Sequence, residues 1–212
     1  MTSTKPFLKD AAVYLVDDDP AIRDSLSFLF MSRQMRAVSF GSGEALLEAL
    51  PLKGCACIVL DMRMGALSGL ETFNRLKEAG CNAPVIFLTG HGDVPVAVEA
   101  LKSGAADFIE KPFNDNQLVN TVIACLENHF GLMSENRERA MIESQLQQLS
   151  ARELDVLKLL MAGMLNKQIA DALSISMRTV EVHRARILSK MQARNAVELA
   201  ANLASHGIEL AS

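Results

Sequence analysis

Three aspartates, a threonine and a lysine carry the most evident chemistry of this sequence, and each stands at the end of a short apolar run. Asp17 and Asp18 follow residues 12–16, Asp61 follows 57–60, Thr89 follows 85–88, and Lys111 stands just past 107–109. Clustered carboxylates repel one another and raise each other's pKa unless a cation shares the site. An all-oxygen ligand set favours a hard ion such as Mg²⁺, which keeps some of its waters and accepts substrate oxygens. A lysine opposite adds a point charge suited to a phosphoryl oxygen. Metal and lysine together neutralise a transferring phosphoryl group, and one carboxylate serves as nucleophile. Taken singly, an aspartate at a strand end reads as a helix N-cap and Lys111 as a surface lysine. Five such positions around one rim read as a site.

These residues converge only if the runs are strands of one sheet. Residues 37–40 supply a fifth run, and between the runs lie 20–33, 43–50, 69–78, 94–103 and 114–128, with apolar residues at helical spacing. The alternation predicts an α/β domain over 1–128, a doubly wound five-stranded parallel sheet covered on both faces. The usual order for such a unit, 2-1-3-4-5, makes strands one and three neighbours and gathers the three carboxylates at the carboxyl edge. From 129 to 148 the composition turns polar, while Ile142, Leu146 and Leu149 recur at helical spacing. This predicts a helical linker, with Gly131 as its break. Four helical stretches follow at 151–162, 167–173, 177–191 and 195–205 without a strand candidate, so 149–212 reads as an all-α four-helix domain.

Charge separates the two halves. Residues 1–128 carry 11 Lys and Arg against 16 Asp and Glu, a net −5. The window 166–194 carries six (Lys167, Arg178, Arg184, Arg186, Lys190, Arg194) against two (Asp171, Glu181), a net +4. The acidic half suits a metal or phosphate site, and the basic window suits a polyanion. Ser176 reads as the N-cap of a helix in which Val180, Ile187 and Met191 share one face. The opposite face carries Arg178, Val182, Ala185, Arg186 and Ser189. Small apolar side chains between arginines suit a helix laid into a major groove, where methyl contacts and guanidinium forks reach base edges. A plain solvated surface is the alternative. Arg184 lies toward the core side, where its stem packs and its head can extend. In 195–205 the residues Ala196, Val197, Leu199, Ala200, Ala201, Leu203 and Ala204 leave the helix apolar almost all round. One face completes a core; a second implies a partner.

Residues 1–128 resemble the receiver domains of response regulators. The motifs are Val16-Asp17-Asp18-Asp19, Leu60-Asp61-Met62-Arg63-Met64, Leu88-Thr89-Gly90-His91-Gly92-Asp93-Val94-Pro95 and Phe108-Ile109-Glu110-Lys111-Pro112-Phe113, the last two being similar to the FixJ branch. The resemblance implies that Asp61 is the phospho-acceptor. Asp18, Asp61 and the backbone carbonyl of Arg63 hold Mg²⁺, with Asp17 acting largely through water. Thr89 and Lys111 bind phosphoryl oxygens, and Phe108 is the switch aromatic that turns inward when Thr89 moves. In Met64-Gly65-Ala66-Leu67-Ser68-Gly69 the family's usual proline is replaced by Gly65, which should loosen the loop that supplies a metal ligand. Arg63 and His91 flank the site.

Residues 149–205 resemble the LuxR/NarL/FixJ helix-turn-helix, through Leu149-Ser150-Ala151-Arg152-Glu153, Asn166-Lys167-Gln168-Ile169-Ala170 and Ile175-Ser176-Met177-Arg178-Thr179-Val180-Glu181-Val182-His183-Arg184. The resemblance makes 177–191 the recognition helix. Val182, Ala185 and Arg186 face bases, Asn166, Lys167, Thr179, His183 and Lys190 contact phosphates, and Arg178 and Arg184 complete the DNA-binding set. The last helix pairs two such domains. Together the resemblances imply a cytoplasmic two-component response regulator, not an enzyme. It is phosphorylated by a sensor histidine kinase and forms a homodimer on double-stranded DNA, with RNA polymerase as a further partner.

Other classes leave different marks. No apolar run approaches the ~18 residues of a membrane span, and Lys5 and Lys9 precede a run too short for a signal-peptide core. Cys55, Cys57, Cys81 and Cys125 lack CxxC spacing and sit in or beside apolar runs. They read as buried thiols in a reducing compartment, with zinc ligation by Cys55 and Cys57 as the alternative. A Mg²⁺-dependent phosphohydrolase would use the same carboxylates but turn over an external ester. A receiver-like module that works without phosphate is a second alternative. A lactone-binding regulator would share the C-terminal domain but has no use for the acidic rim.

Overall fold

The computed structural model describes residue 8 and residues 11–90 and 94–210, with the backbone alone at 94, 95 and 97. Lys5, Lys9 and His91 lie outside the described residues. The chain divides into two compact units, Met1–Met133 and Ser134–Ser212.

In the first unit β1 (Ala12–Val16), α1 (Pro20–Ser32), β2 (Arg36–Phe40), α2 (Gly43–Glu48), β3 (Ala56–Asp61), α3 (Gly69–Glu78), β4 (Val85–Thr89), α4 (Val94–Lys102) and β5 (Asp107–Glu110) alternate, and α5 (Asp115–Gln147) follows. The strands pair in parallel in the order β2-β1-β3-β4-β5. β1, β3 and β4 are buried at every position, which is why they read as continuous apolar runs rather than alternations. Their side chains still separate by parity. Val13, Leu15, Val59, Ile86 and Leu88 join Leu26 and Phe30 of α1 and Leu118, Val122 and Leu126 of α5 in one core. Tyr14, Val16, Ile58, Leu60 and Phe87 join Leu46 of α2, Phe73 and Leu76 of α3 and Ala100 of α4 in the other. The register pairs Val16 with Leu60 and Asp61 with Leu88, so these three strands end on one edge.

Local chemistry sets where the helices begin there. The Asp19 carboxylate caps α1 by accepting from Ala21 N at 2.8 Å, ahead of a helix that opens on Pro20. Ser68 and Glu71 form a reciprocal capping box at α3. Gly69 lets that helix start against the strand end, since a Cβ there would lie 2.2 Å from the Asp61 carbonyl oxygen. Gly65 is different. It is exposed, faces open space and has no positive φ, so the loop does not require a glycine at that point.

Two expectations change. The ladders of β2 to β5 each run a residue past the apolar runs, because backbone pairing outlasts hydrophobicity. Gly131 does not break the linker: α5 continues through it to Gln147. One helical glycine costs only about 1 kcal/mol relative to alanine. Buried anchors on both sides, Leu126 and Ile142, offset that cost.

The second unit contains the end of α5 with α6 (Ala151–Met161), α7 (Asn166–Leu173), α8 (Met177–Lys190) and α9 (Ala196–Ser205). Val156, Leu157, Ile169, Val180, Ile187, Leu199 and Leu203 form its core. Ser150 and Glu153 make a second capping box, and the buried Glu153 carboxylate also accepts from Lys190 Nζ at 2.7 Å. The Lys190 bond, then the Ser150 backbone bond, hold that carboxyl at about 2.

Two stability predictions follow from this packing. Gly69→Ala should lower stability by about 1–3 kcal/mol through overpacking, whereas Gly65→Ala should raise it by about 0.4–1 kcal/mol. Equal effects in denaturant melts would refute the close approach of α3. The Glu153 carboxyl is depressed from 4.5 to about 2, so its contribution is complete above pH 4.5 and fades as pH falls toward 2. The Tm gap between wild type and Glu153→Gln, followed by circular dichroism, should be widest near neutrality and narrow on acidification.

Candidate functional site

The strand ends bring the five rim residues together. Carboxylate oxygens of Asp17, Asp18 and Asp61 lie within 4.8 Å of one another, with Asp17 and Asp61 buried and Asp18 exposed. Lys111 Nζ donates to Asp17 Oδ2 at 2.9 Å and to Asp61 Oδ1 at 2.6 Å. The other oxygens are also engaged: Asp17 Oδ1 accepts from Asp19 N and Asp61 Oδ2 from Arg63 N, both at 2.9 Å. Burial pushes the Asp61 carboxyl above the usual range; Lys111 pulls it back and the Asp17 charge adds to the rise. Burial pulls Lys111 down, but its bonds to Asp61 and Asp17 outweigh this and hold it above its ordinary value.

Thr89 is wholly buried at the end of β4, and its Oγ1 has no hydrogen-bond partner. A buried polar group left unpaired costs about 1–3 kcal/mol, so this hydroxyl is poised to accept a partner. Phe108 is half-buried against the second core. Arg63 is exposed, and its amide donates to the Asp61 carboxylate. Three carboxylates and no softer donor suit Mg²⁺, so the residues fit the expected ion.

Arg23 was not evident from the sequence. Its Nη1 donates to the backbone oxygens of Asp17 at 2.8 Å and Asp18 at 3.0 Å, bracing the loop that presents both carboxylates. A signal existed, because a cation in the first turns of a helix opposes the macrodipole and needs another reason to be there.

On the second unit, Ser174 in the left-handed region (φ 53°) leads from α7 toward α8, which Ser176 caps by accepting from Thr179 N at 3.1 Å. Lys167, Arg178, Val182, Ala185 and Arg186 are exposed; Asn166, Thr179, His183 and Arg184 are half-buried. Arg184 donates to Asn166 Oδ1, tying α8 to the start of α7. The Nδ1 of His183 is buried and unpartnered. Lys190 is half-buried and has partners within the unit. Its ammonium is taken up by Glu153 Oε2 and, at 3.0 Å, by the Gln148 carbonyl, because α8 packs its last turn on the start of α6. The cysteines are free thiols, Cys55 and Cys57 buried. Among the described residues the acidic trio is the metal-ligand cluster, and it contains no cysteine.

Comparison with known proteins agrees with this geometry. The family model "Response regulator receiver domain" matches residues 13–123, and "Bacterial regulatory proteins, luxR family" matches 147–203. The chain is 48% identical over 190 residues to the C4-dicarboxylate transport transcriptional regulatory protein DctR of Rhodobacter capsulatus, covering 89% of this chain and 96% of that one. It is 42% identical over 187 residues to the transcriptional regulatory protein FixJ of Bradyrhizobium diazoefficiens, covering 88% and 91%. Among solved structures, the response regulator StyR superposes with a TM-score of 0.87 at 33% identity, over 92% of this chain and 99% of that one. Full-length FixJ from B. japonicum gives a TM-score of 0.58 at 40% identity, over 92% and 97%. With the sheet order, the acidic rim and the helix-turn-helix all in place, the chain belongs to the two-component response regulators, transcriptional regulators that join a receiver domain to a LuxR-type DNA-binding domain.

Proposed function

We propose that this regulator is switched by phosphorylation of Asp61 and that the switch governs sequence-specific DNA binding. The observation that carries the reading is the combination of Lys111 Nζ held against Asp61 with the unpartnered Thr89 hydroxyl at the same edge. A sensor histidine kinase presents a phosphohistidine, an Asp61 oxygen attacks phosphorus, and the imidazole leaves. Asp18, Asp61 and the Arg63 carbonyl would hold Mg²⁺, with Asp17 acting largely through water, and the ion would neutralise charge on the phosphoryl oxygens. Lys111 exchanges its bond to Asp61 for one to phosphate. Thr89 gains the partner it lacks, and Phe108 follows it inward. The chain performs this self-transfer and slow self-hydrolysis and is otherwise not an enzyme.

The phosphate acts only through its differing affinity for two receiver states. A changed face around α4 and Phe108 then dimerises the protein or releases the DNA-binding unit. Leu199 and Leu203 of α9 are buried, while Val197 is 80% exposed and Ala200, Ala201 and Ala204 face solvent, which supports α9 as the surface that pairs two DNA-binding units. The pair sets two α8 helices in major grooves about one helical turn apart. Val182, Ala185 and Arg186 read bases. Lys167, Arg178, Thr179 and His183 lie toward the backbone, with Asn166 and Arg184 as a joint strut at its edge. RNA polymerase is the further partner, and the cytoplasm, where the DNA is, is the site of action.

Acetyl phosphate with Mg²⁺ should add one phosphoryl group per chain, mapped to Asp61 by mass spectrometry and absent in Asp61→Asn. Turnover of an external ester would indicate a phosphohydrolase, and no labelling a phosphate-independent module. Thr89→Ala should still be labelled but show no phosphodonor effect on DNA affinity. In footprinting titrations, Arg186→Ala should cost roughly 1–3 kcal/mol and relax one base position, whereas Lys167→Ala should weaken all sequences alike. Equal losses on specific and random DNA from both variants would overturn the groove assignment.

A further inference from the structure

The three carboxylates of the rim are held in different ways. Asp17 and Asp61 have both oxygens engaged, by Lys111 Nζ and by the amides of Asp19 and Arg63. The Asp18 carboxylate is exposed, and among the described residues it enters no hydrogen bond or ion pair. It nonetheless brings an oxygen within 4.8 Å of oxygens of the other two. With nothing holding the tip of this side chain, its direction is set at the root, by the backbone on either side of the Asp18 Cα.

Arg23 grips that backbone. Its Nη1 donates to the Asp17 carbonyl at 2.8 Å and to the Asp18 carbonyl at 3.0 Å. These oxygens belong to the two peptide units that flank the Asp18 Cα. Peptide units are planar, so holding both planes holds the two soft dihedrals between them, and with them the direction of the Cα–Cβ bond. The second unit is held again where the Asp19 amide donates to Asp17 Oδ1 at 2.9 Å. Arg23 itself is half-buried in the first turn of α1, which opens at Pro20 directly after the loop.

We propose that Arg23 is a positioning residue that aims Asp18 at the divalent ion, acting through the Asp17–Asp19 backbone and not by contact with the ion or the phosphoryl group. The inference rests on the reading of the rim as a Mg²⁺ and phosphoryl site. Two effects of Arg23 oppose one another. Its charge, beside an acidic loop, repels a dication and weakens metal binding. Its grip orders a ligand in advance and strengthens metal binding. The charge is half in solvent and screened by salt, whereas groups that orient metal ligands are typically worth about 10–100-fold in affinity. The grip therefore outweighs the charge, and the sign of a mutational effect tells the two apart.

The test is Mn²⁺ binding to the unphosphorylated full-length protein, read as loss of the free-ion electron paramagnetic resonance signal and competed with Mg²⁺. Arg23→Gln should weaken binding about tenfold or more. Arg33→Gln is the control for charge, since Arg33 ends the same helix and donates to Asn116 Oδ1 at 2.7 Å, away from the acidic loop; it should bind like wild type. Arg23→Lys keeps the charge but loses the planar fork, and should fall between wild type and Arg23→Gln. Unchanged or tighter binding in Arg23→Gln, with Asp18→Asn impaired, would overturn the role of Arg23 alone. Wild-type affinity in Asp18→Asn would instead remove the metal reading beneath it. Should Arg23→Gln fold poorly by circular dichroism, wild-type affinity in Arg23→Lys overturns the proposal.

Discussion

Two carboxylates almost removed from water can stand side by side here because one ammonium touches both. Lys111 Nζ bridges Asp17 and Asp61 at 2.9 and 2.6 Å, which cancels repulsion that would otherwise protonate one acid or drive the strand ends apart. The amides of Asp19 and Arg63 satisfy the remaining oxygens. The rim is thus an electrostatic knot of three strand ends.

The rest of the first unit holds that knot still. Fully buried β1 and β3 set the acids side by side in register. Gly69 lets α3 abut the Asp61 carbonyl, and the Ser68–Glu71 box fixes where that helix begins. Arg23 clamps the carbonyls of Asp17 and Asp18 in the acidic loop. Among the described residues of this unit, Thr89 Oγ1 is the buried side-chain hydroxyl left without a hydrogen-bond partner.

The second unit divides its charged residues between construction and display. Glu153 directs its carboxylate to the cap of α6 and to Lys190, and Arg184 is tied to Asn166, so polar contacts brace α8 at its middle and at its C-terminal end. Arg178 and Arg186 remain exposed beside Val182 and Ala185. A braced helix with free arginines has little ordering left to do on meeting a duplex, and preorganisation of that kind favours binding.

Much of this was legible in the residues. Apolar runs with strand length, amphipathic stretches between them and acids at run ends pointed to the sheet and to the five members of the rim, because a strand end and a helix face are local properties of the chain, whereas the strand order came from the usual arrangement of such units. The core stripe of α8 and its arginine face were readable for the same reason. What only tertiary structure decided depends on partners far away in sequence. Asp17 and Asp61 share one lysine, Thr89 Oγ1 is left without a hydrogen-bond partner, Lys190 pairs with Glu153, and α5 passes Gly131 unbroken. Composition shows which groups can form a bond, but packing determines their separation and how much water remains between them. On those two quantities the strength of every polar contact depends.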